Sequence, residues 1–258
     1  MPPADFLLID LGNTSAKLRL AGPDRLLGET RRIPTAGLLA AGGGDSLRCS
    51  LEGWAFRRAV LSSVVPAAAR VVLAALPGTL LIRAGMRGGG VNLEEYPGAA
   101  TLGADRLANA TGALALHGPG PLIVVDFGTA ATFNALDGAG RFLGGVIAPG
   151  LAAVRDYLPA RGAQLPAIDL GQPLERAIGR RTPEAVLAGV VLGFRGMIRE
   201  IVTSLQAELA SGSEEPARVV ATGGDAAWAA AALPGTFAVV DADLTLHGLR
   251  VLAASVEA

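Results

Sequence analysis

The apolar positions of this chain fall into short runs of strand length and longer stretches with helical spacing, and one of the short runs is written twice. Residues 7–14 read LLIDLGNT and residues 122–129 read LIVVDFGT, their Asp residues 116 positions apart. Each is a run of branched apolar residues ending in Asp, then one apolar residue, then Gly with a Thr nearby: Asp10, Gly12, Asn13 and Thr14 in the first copy, Asp126, Gly128 and Thr129 in the second. Such a run predicts a buried strand opening into a tight hairpin, where Gly lets the backbone come close to a ligand. Residues 15–20 (SAKLRL) alternate polar and apolar and form the returning arm. AVLSSV at 59–64 and TLLIRA at 79–84 predict further strands. PAAARVVLAAL at 66–76 has helical spacing and opens on Pro, which suits a first helical turn. GMRGGGVN at 85–92 is a Gly-rich loop, and residues 101–116 predict a helix beginning near Thr101 or Gly103. HGPGP at 117–121 breaks the chain and is the expected domain boundary.

The second half repeats strand, turn, strand at LIVVDFGTAATFNALD and continues into a third strand at GRFLGGVIAPG, then a helix and loop over residues 151–166. Residues 182–209 carry the longest helical pattern, with Thr182 as expected N-cap and Pro183 at the first helical position. Gly189, Gly193 and Gly196 each cost this helix about 1 kcal/mol relative to Ala. That predicts something packed very close to it, within one subunit or between two. ARVVATGGDAAWAAAAL then reads strand, Gly-Gly turn, helix, and the chain closes with a strand, a loop and a last helix.

Each half therefore opens with a β-meander bearing Asp-x-Gly and continues in α/β elements. The arrangement resembles the duplicated ribonuclease-H-like fold of sugar kinases, actin and Hsp70 chaperones. That resemblance implies two domains around an ATP cleft, residues 1–117 and 118–258, each bearing one hairpin. The late VVATGGD strand and turn resembles that superfamily's adenosine-contacting segment.

Composition narrows the function. Hydrophobic residues make up 51% of the chain, charged residues 17%, and the formal net charge is −1. No basic track stands out, which argues against nucleic acid as a partner. No stretch of about 18 residues is free of charge, Gly and Pro, so no spanning helix is expected. The start, MPPADFLLID, lacks the cationic segment of a signal peptide. A single Cys49 excludes an internal disulfide and fits a reducing compartment, so a cytoplasmic location is expected. Beside Trp54, Cys49 reads as a partly buried small apolar residue. One Cys and two His leave no Cys/His metal site.

Three segments carry candidate chemistry. In DLGNTSAK (Asp10, Leu11, Gly12, Asn13, Thr14, Ser15, Ala16, Lys17), hairpin N–H groups with Asn13 and Thr14 suit phosphate oxygens. Asp10 suits Mg²⁺, directly or through water, and Lys17 suits charge neutralisation. In GADR (Gly103, Ala104, Asp105, Arg106), with Tyr96 seven residues upstream, an Asp at a helix start is either a cap or a base: Asp105 would take the proton of an attacking hydroxyl while Arg106 holds a polar or anionic substrate. In DFGTAAT, Asp126 suits a cation bridging protein and nucleotide, and Thr129 a phosphate contact. The D-F-G tripeptide is not that of protein kinases, since no Gly-rich loop, strand Lys or H-R-D segment accompanies it. Gly223 and Gly224 would let an adenine or ribose approach the backbone. No G-x-G-x-x-G or Walker sequence is present.

In this order the motifs resemble the type III pantothenate kinase family, which includes the Bvg accessory factor homologues: DLGNTSAK, Tyr96 followed by GADR, DFGTAAT, GGVIAPG, the Thr182 helix start, ATGGD and the closing DADLTLHGL. The resemblance implies transfer of the ATP γ-phosphoryl group to pantothenate, giving 4'-phosphopantothenate, the first step of coenzyme A synthesis. It implies that residues 10–17 and Thr129 bind ATP, that Tyr96, residues 103–106 and Thr182 bind pantothenate, and that Asp105 accepts the proton. It also implies that Asp126 ligates K⁺ or NH₄⁺, that Mg²⁺ accompanies ATP, and that the protein is a homodimer. Three positions depart from the family pattern: Ala131 where Thr is frequent, Arg181 where Asn is common, and His247 where an acidic residue is usual. A non-catalytic ATP-binding regulator, or another phosphoryl-transfer enzyme of the same superfamily, remains an alternative; intact Asp10, Asp105 and Asp126 speak against the first, and Tyr96 with GADR discriminates against the second.

Overall fold

The computed structural model describes residues 3–162, 164–212 and 215–257; Ala163, within the helix and loop expected over residues 151–166, lies outside them. The chain divides into two compact units. Residues 1–119, 138–144 and 243–258 form the first, and residues 120–137 and 145–242 the second.

The first unit is built on strands β1 (Ala4–Leu11), β2 (Ser15–Ala21), β3 (Leu26–Pro34), β4 (Phe56–Ser63) and β5 (Leu80–Leu81), in spatial order β3-β2-β1-β4-β5. β1 pairs antiparallel with β2 and parallel with β4. The apolar run of β1 has no alternation because both faces are covered. Leu7, Ile9 and Leu11 point into a cluster with Leu18, Ile33, Leu38, Leu47 and Leu61. The cover on that side includes helices α1 (Thr35–Leu39), α2 (Gly43–Ser50) and α3 (Pro66–Ala75). Phe6 and Leu8 are also fully buried, and they take the opposite face by strand alternation. Helices α4 (Ala104–His117) and α8 (Leu244–Glu257) pack against each other and against β1 and β4.

The α4–α8 crossing is close enough that a Cβ on Gly112 would run into the Leu244 carbonyl, and one on Gly248 into the Ala108 carbonyl. Thr245 Oγ1 donates to Asn109 Oδ1 at 2.7 Å between the two helices, both residues being buried. At the head of α8, Asp243 accepts from Arg19 and Thr30.

The second unit repeats the plan. Strands β6 (Leu122–Phe127), β7 (Ala130–Leu136), β8 (Phe142–Pro149), β9 (Arg218–Gly223) and β10 (Val239–Val240) lie in the order β10-β9-β6-β7-β8, again with an antiparallel neighbour on one side of the Asp-bearing strand and a parallel one on the other. Ile123, Val125 and Phe127 pack with Phe133, Phe194, Ile198 and Ala221. The remaining helices are α5 (Leu151–Arg161), α6 (Thr182–Ala210) and α7 (Ala226–Ala232).

Three expectations need correction. Cys49 is exposed on α2, not partly buried. Arg181 holds the cap position of α6, with Thr182 its first helical residue. Around Gly189, Gly193 and Gly196 an added Cβ would meet nothing within 4 Å, so no part of the described chain packs close to that face of α6.

Candidate functional site

In the first unit the hairpin between β1 and β2 places Asp10 level with Lys17 of β2 and Ser62 of β4. The turn is closed by the Gly12 N–H donating to the Ser15 carbonyl (3.1 Å). It is pinned from behind by Thr35, whose hydroxyl donates to the Gly12 carbonyl (2.7 Å) and whose N–H donates to the Thr14 carbonyl (3.0 Å). Thr35 is buried at the head of α1, while Asn13 and Thr14 at the tip are exposed. Leu11 and Ala16 bury their side chains in the apolar cluster, so from these two positions only backbone can face a ligand.

The GADR segment begins α4, with Gly103 at the cap position and Asp105 in the first turn. Asp105 Oδ1 accepts from the Arg106 N–H at 2.8 Å and curls back over Gly103, where it would lie 2.5 Å from an added Cβ. Any other residue at 103 would displace this carboxylate. Tyr96 is close by in the chain and is held on three sides. Its ring meets Phe142 edge-on with centroids 4.9 Å apart, and its ring atoms fill the space a Cβ would need at Gly98. Gly144 lies against it. Phe142 also lies under the Arg106 guanidinium, 5.6 Å from Cζ to ring centroid. The buried Phe142 ring thus links Tyr96 and Arg106, and sequence reasoning missed it. Phe142 belongs here because its N–H donates to the Asn92 carbonyl (2.9 Å) while the Asn92 N–H donates to the Gly140 carbonyl (3.0 Å). A cavity of about 550 Å³ opens beside Tyr96, lined also by Gly85, Arg87, Gly88, Asn92 and Glu94.

In the second unit three Gly-rich turns converge on one end of the sheet. Gly128 closes a shorter hairpin by donating to the Ala130 carbonyl (3.1 Å). Gly150 lies so close to the Gly128 and Thr129 carbonyls that a Cβ there would collide with them. Gly223, at φ +96°, is pressed in the same way against Asp126 Oδ1 and the Phe127 backbone. The structure thus brings Asp126, Thr129 and Gly223–Gly224 together. Asp126 stands level with Thr132 of β7 and Thr222 of β9. The hydroxyls of both threonines are buried with no hydrogen-bond partner among the described residues. A carboxylate flanked by two such hydroxyls is an all-oxygen donor set of low charge, which fits a hard monovalent cation. Ala131 projects into the apolar cluster on the other face, so its lost hydroxyl has no bearing on this donor set. Next to Gly224, burial pushes the Asp225 carboxyl above its ordinary pKa, with the Arg155 guanidinium working in the opposite direction. Among the described residues no group of three or more His, Cys, Asp or Glu side chains gathers as a metal cluster.

Thr182 is exposed at the head of α6, in the second unit, while Tyr96 and GADR belong to the first. Beside it, Arg176, Arg180, Arg181, Glu184 and Leu187 line a cavity of about 610 Å³. The Glu184 carboxylate accepts from the Arg180 N–H (2.9 Å) and Arg181 Nε (2.8 Å), which hold it below its usual pKa. His247 is half-buried on α8.

Solved structures share this fold at low identity. A Baf family protein of Campylobacter jejuni superposes with TM-score 0.61 at 18% identity, covering 95% of this chain and 96% of its own. A ROK hexokinase of Thermus thermophilus superposes with TM-score 0.53 at 17% identity, covering 96% and 97%. These place the chain in the duplicated ribonuclease-H-like fold. Sequence similarity is more specific. A type III pantothenate kinase of Akkermansia muciniphila is 44% identical over 250 residues, covering 96% of this chain and 98% of that protein. The type III pantothenate kinase family model matches residues 6–204. The chain therefore belongs to the type III pantothenate kinase family.

Proposed function

We propose that this chain phosphorylates pantothenate with ATP, as the first step of coenzyme A synthesis, and that GADR with Tyr96 forms the pantothenate end of the site. The observation that carries this reading is the head of α4. There a half-buried carboxylate, Asp105, sits next to Arg106, which shares the Phe142 ring with Tyr96 beside a cavity. Asp105 takes the proton of the attacking hydroxyl, and Gly103, Ala104, Arg106, Tyr96 and Thr182 hold the rest of pantothenate.

Residues 10–17 and Thr129 bind the phosphates of ATP, and Gly223 and Gly224 admit its nucleoside. Phosphoryl transfer needs positioning and charge screening more than covalent chemistry. Exposed Asn13 and Thr14 offer the turn's N–H groups to phosphate oxygens. Lys17, paired with Asp10 across β1 and β2, brings an ammonium group to the same face. Asp10 would hold Mg²⁺, directly or through water, and the ion would supply charge screening to the phosphates. K⁺ or NH₄⁺ at Asp126 would add one more positive charge; the buried threonine hydroxyls beside that carboxylate support this reading.

The open glycine face of α6 supports a homodimer built on that helix, and a monomeric mass at micromolar protein would count against it. No helix among the described residues is long and apolar enough to cross a membrane. We place the enzyme in the cytoplasm, the reducing compartment that its single cysteine fits. The deciding experiment is an ATP-dependent assay with pantothenate and K⁺, with product read by mass. Asp105→Asn should fold normally and lose about 10²- to 10⁴-fold in turnover. A variant with near-wild-type kinetics would remove Asp105 from the mechanism.

A further inference from the structure

The two sheets share one strand order, β3-β2-β1-β4-β5 in the first and β8-β7-β6-β9-β10 in the second, read in the same direction. Position by position, β2 corresponds to β7 and β4 to β9. The turns differ by one residue. Four residues separate the paired Leu11 and Ala16, whereas three separate the paired Phe127 and Ala131. An ungapped match of the two motifs therefore sets Lys17 against Phe133. The registers instead set Lys17 against Thr132, because Asp10 pairs with Lys17 and Asp126 with Thr132. On the parallel side Asp10 pairs with Ser62 and Asp126 with Thr222.

Cross-strand partners project to the same face with Cβ atoms about 4.5–5.5 Å apart. Each half thus carries a row of three side chains: Lys17, Asp10 and Ser62 in one, Thr132, Asp126 and Thr222 in the other. The first row contains its own ammonium group. The second sets a carboxylate between two threonines, with no Lys or Arg among its three residues. In its place are two buried hydroxyls that find no hydrogen-bond partner among the described residues, and Thr222 is fully buried. Buried hydroxyls are nearly always satisfied, so two orphans flanking one carboxylate point to a bound group that supplies the missing contacts. The Ser62 hydroxyl is the lone counterpart in the first row.

We propose that Thr132 and Thr222 are positioning residues for a monovalent cation at Asp126, and that this cation takes the place which the Lys17 ammonium fills in the other half. The proposal rests on the reading of Asp126 given above and adds two residues and an equivalence to it. Its consequence is specific. A lysine at position 132 supplies a tethered ammonium, and the protein then no longer needs K⁺ or NH₄⁺ from solution.

The test uses the full chain as wild type and as Thr132→Val, Thr222→Val and Thr132→Lys. Two readouts are taken at constant ionic strength, with choline replacing K⁺: the thermal unfolding midpoint without substrates, and turnover with ATP, Mg²⁺ and pantothenate. The wild-type midpoint should rise with K⁺. Each valine variant should need about 10- to 100-fold more K⁺ for the same rise and for half-maximal turnover. Thr132→Lys should show a midpoint indifferent to K⁺ and should turn over without it. A wild type that responds to K⁺ while both valine variants keep its half-saturating concentration overturns the proposal and leaves the Asp126 reading standing. So does a folded Thr132→Lys that still requires K⁺. A wild type indifferent to K⁺ in both readouts overturns the Asp126 reading and the proposal with it. Should Thr132→Lys fail to fold, the two valine variants decide.

Discussion

Two groups of helical glycines in this molecule serve opposite ends. Gly112 and Gly248 lie where α4 crosses α8, and a single carbon added to either would strike a carbonyl of the other helix. Gly189, Gly193 and Gly196 on α6 face open space, with nothing within 4 Å of an added Cβ. The intrinsic helix penalty is the same in both places, about 1 kcal/mol per residue. At the crossing, close backbone approach and the buried Thr245–Asn109 hydrogen bond offset it within the protomer. On α6 nothing within the described chain offsets it. A glycine in a helix therefore reports close packing only when its surroundings are known.

The largest effect should come from Gly248→Ala, which forces the two helices apart. Overpacking of this kind costs about 1–3 kcal/mol and should lower the thermal midpoint by roughly 2–12 °C. An unchanged midpoint would mean that the crossing is looser than these close approaches imply. Next comes Thr245→Val, which keeps the volume and removes the donor to Asn109. A loss of about 1 kcal/mol in urea unfolding is expected, and Asn109→Ala in the same background should then cost less than it does alone. The smallest effect, of opposite sign, belongs to Gly193→Ala. In dilute protein it should stabilise by up to about 1 kcal/mol. Destabilisation there would erase the contrast between the two groups of glycines.

Much of the fold is legible in the sequence where patterns are local. The apolar runs ending in Asp-x-Gly mark β1 and β6, and the capping signals at Thr182–Pro183 place the start of α6 to within a residue. The stretch of residues 22–58 is not legible in this way. β3 carries Glu29, Arg31 and Arg32 on an edge with largely exposed side chains, so its pattern lacks the apolar alternation of a covered strand. α1 and α2 are short, and Gly43 opens the second. TLLIRA promised a strand of six residues, yet β5 pairs over Leu80–Leu81 alone. In the candidate site, the motif residues sit at strand ends and a helix head as expected. Their partners could not be read. Phe142 reaches Tyr96 through backbone pairing between segments about 50 residues apart, and Thr35 pins a hairpin from the next helix. The equivalence of Thr132 to Lys17 depends on turn length, which alternation alone does not set.

The placement of α8 has a consequence for the order in which the molecule can be finished. The second unit is drawn wholly from within residues 120–242, whereas the first needs residues 243–258 as well. As the chain leaves the ribosome, the sheet made first waits for the helix made last. Until then the α4 face that receives Gly248 has no mate, and Phe6 and Leu8 lack part of their cover. The β1–β2 hairpin is thus among the last parts to be locked in place, and a chain ending at Ala242 would keep every residue of the second unit while lacking α8 of the first.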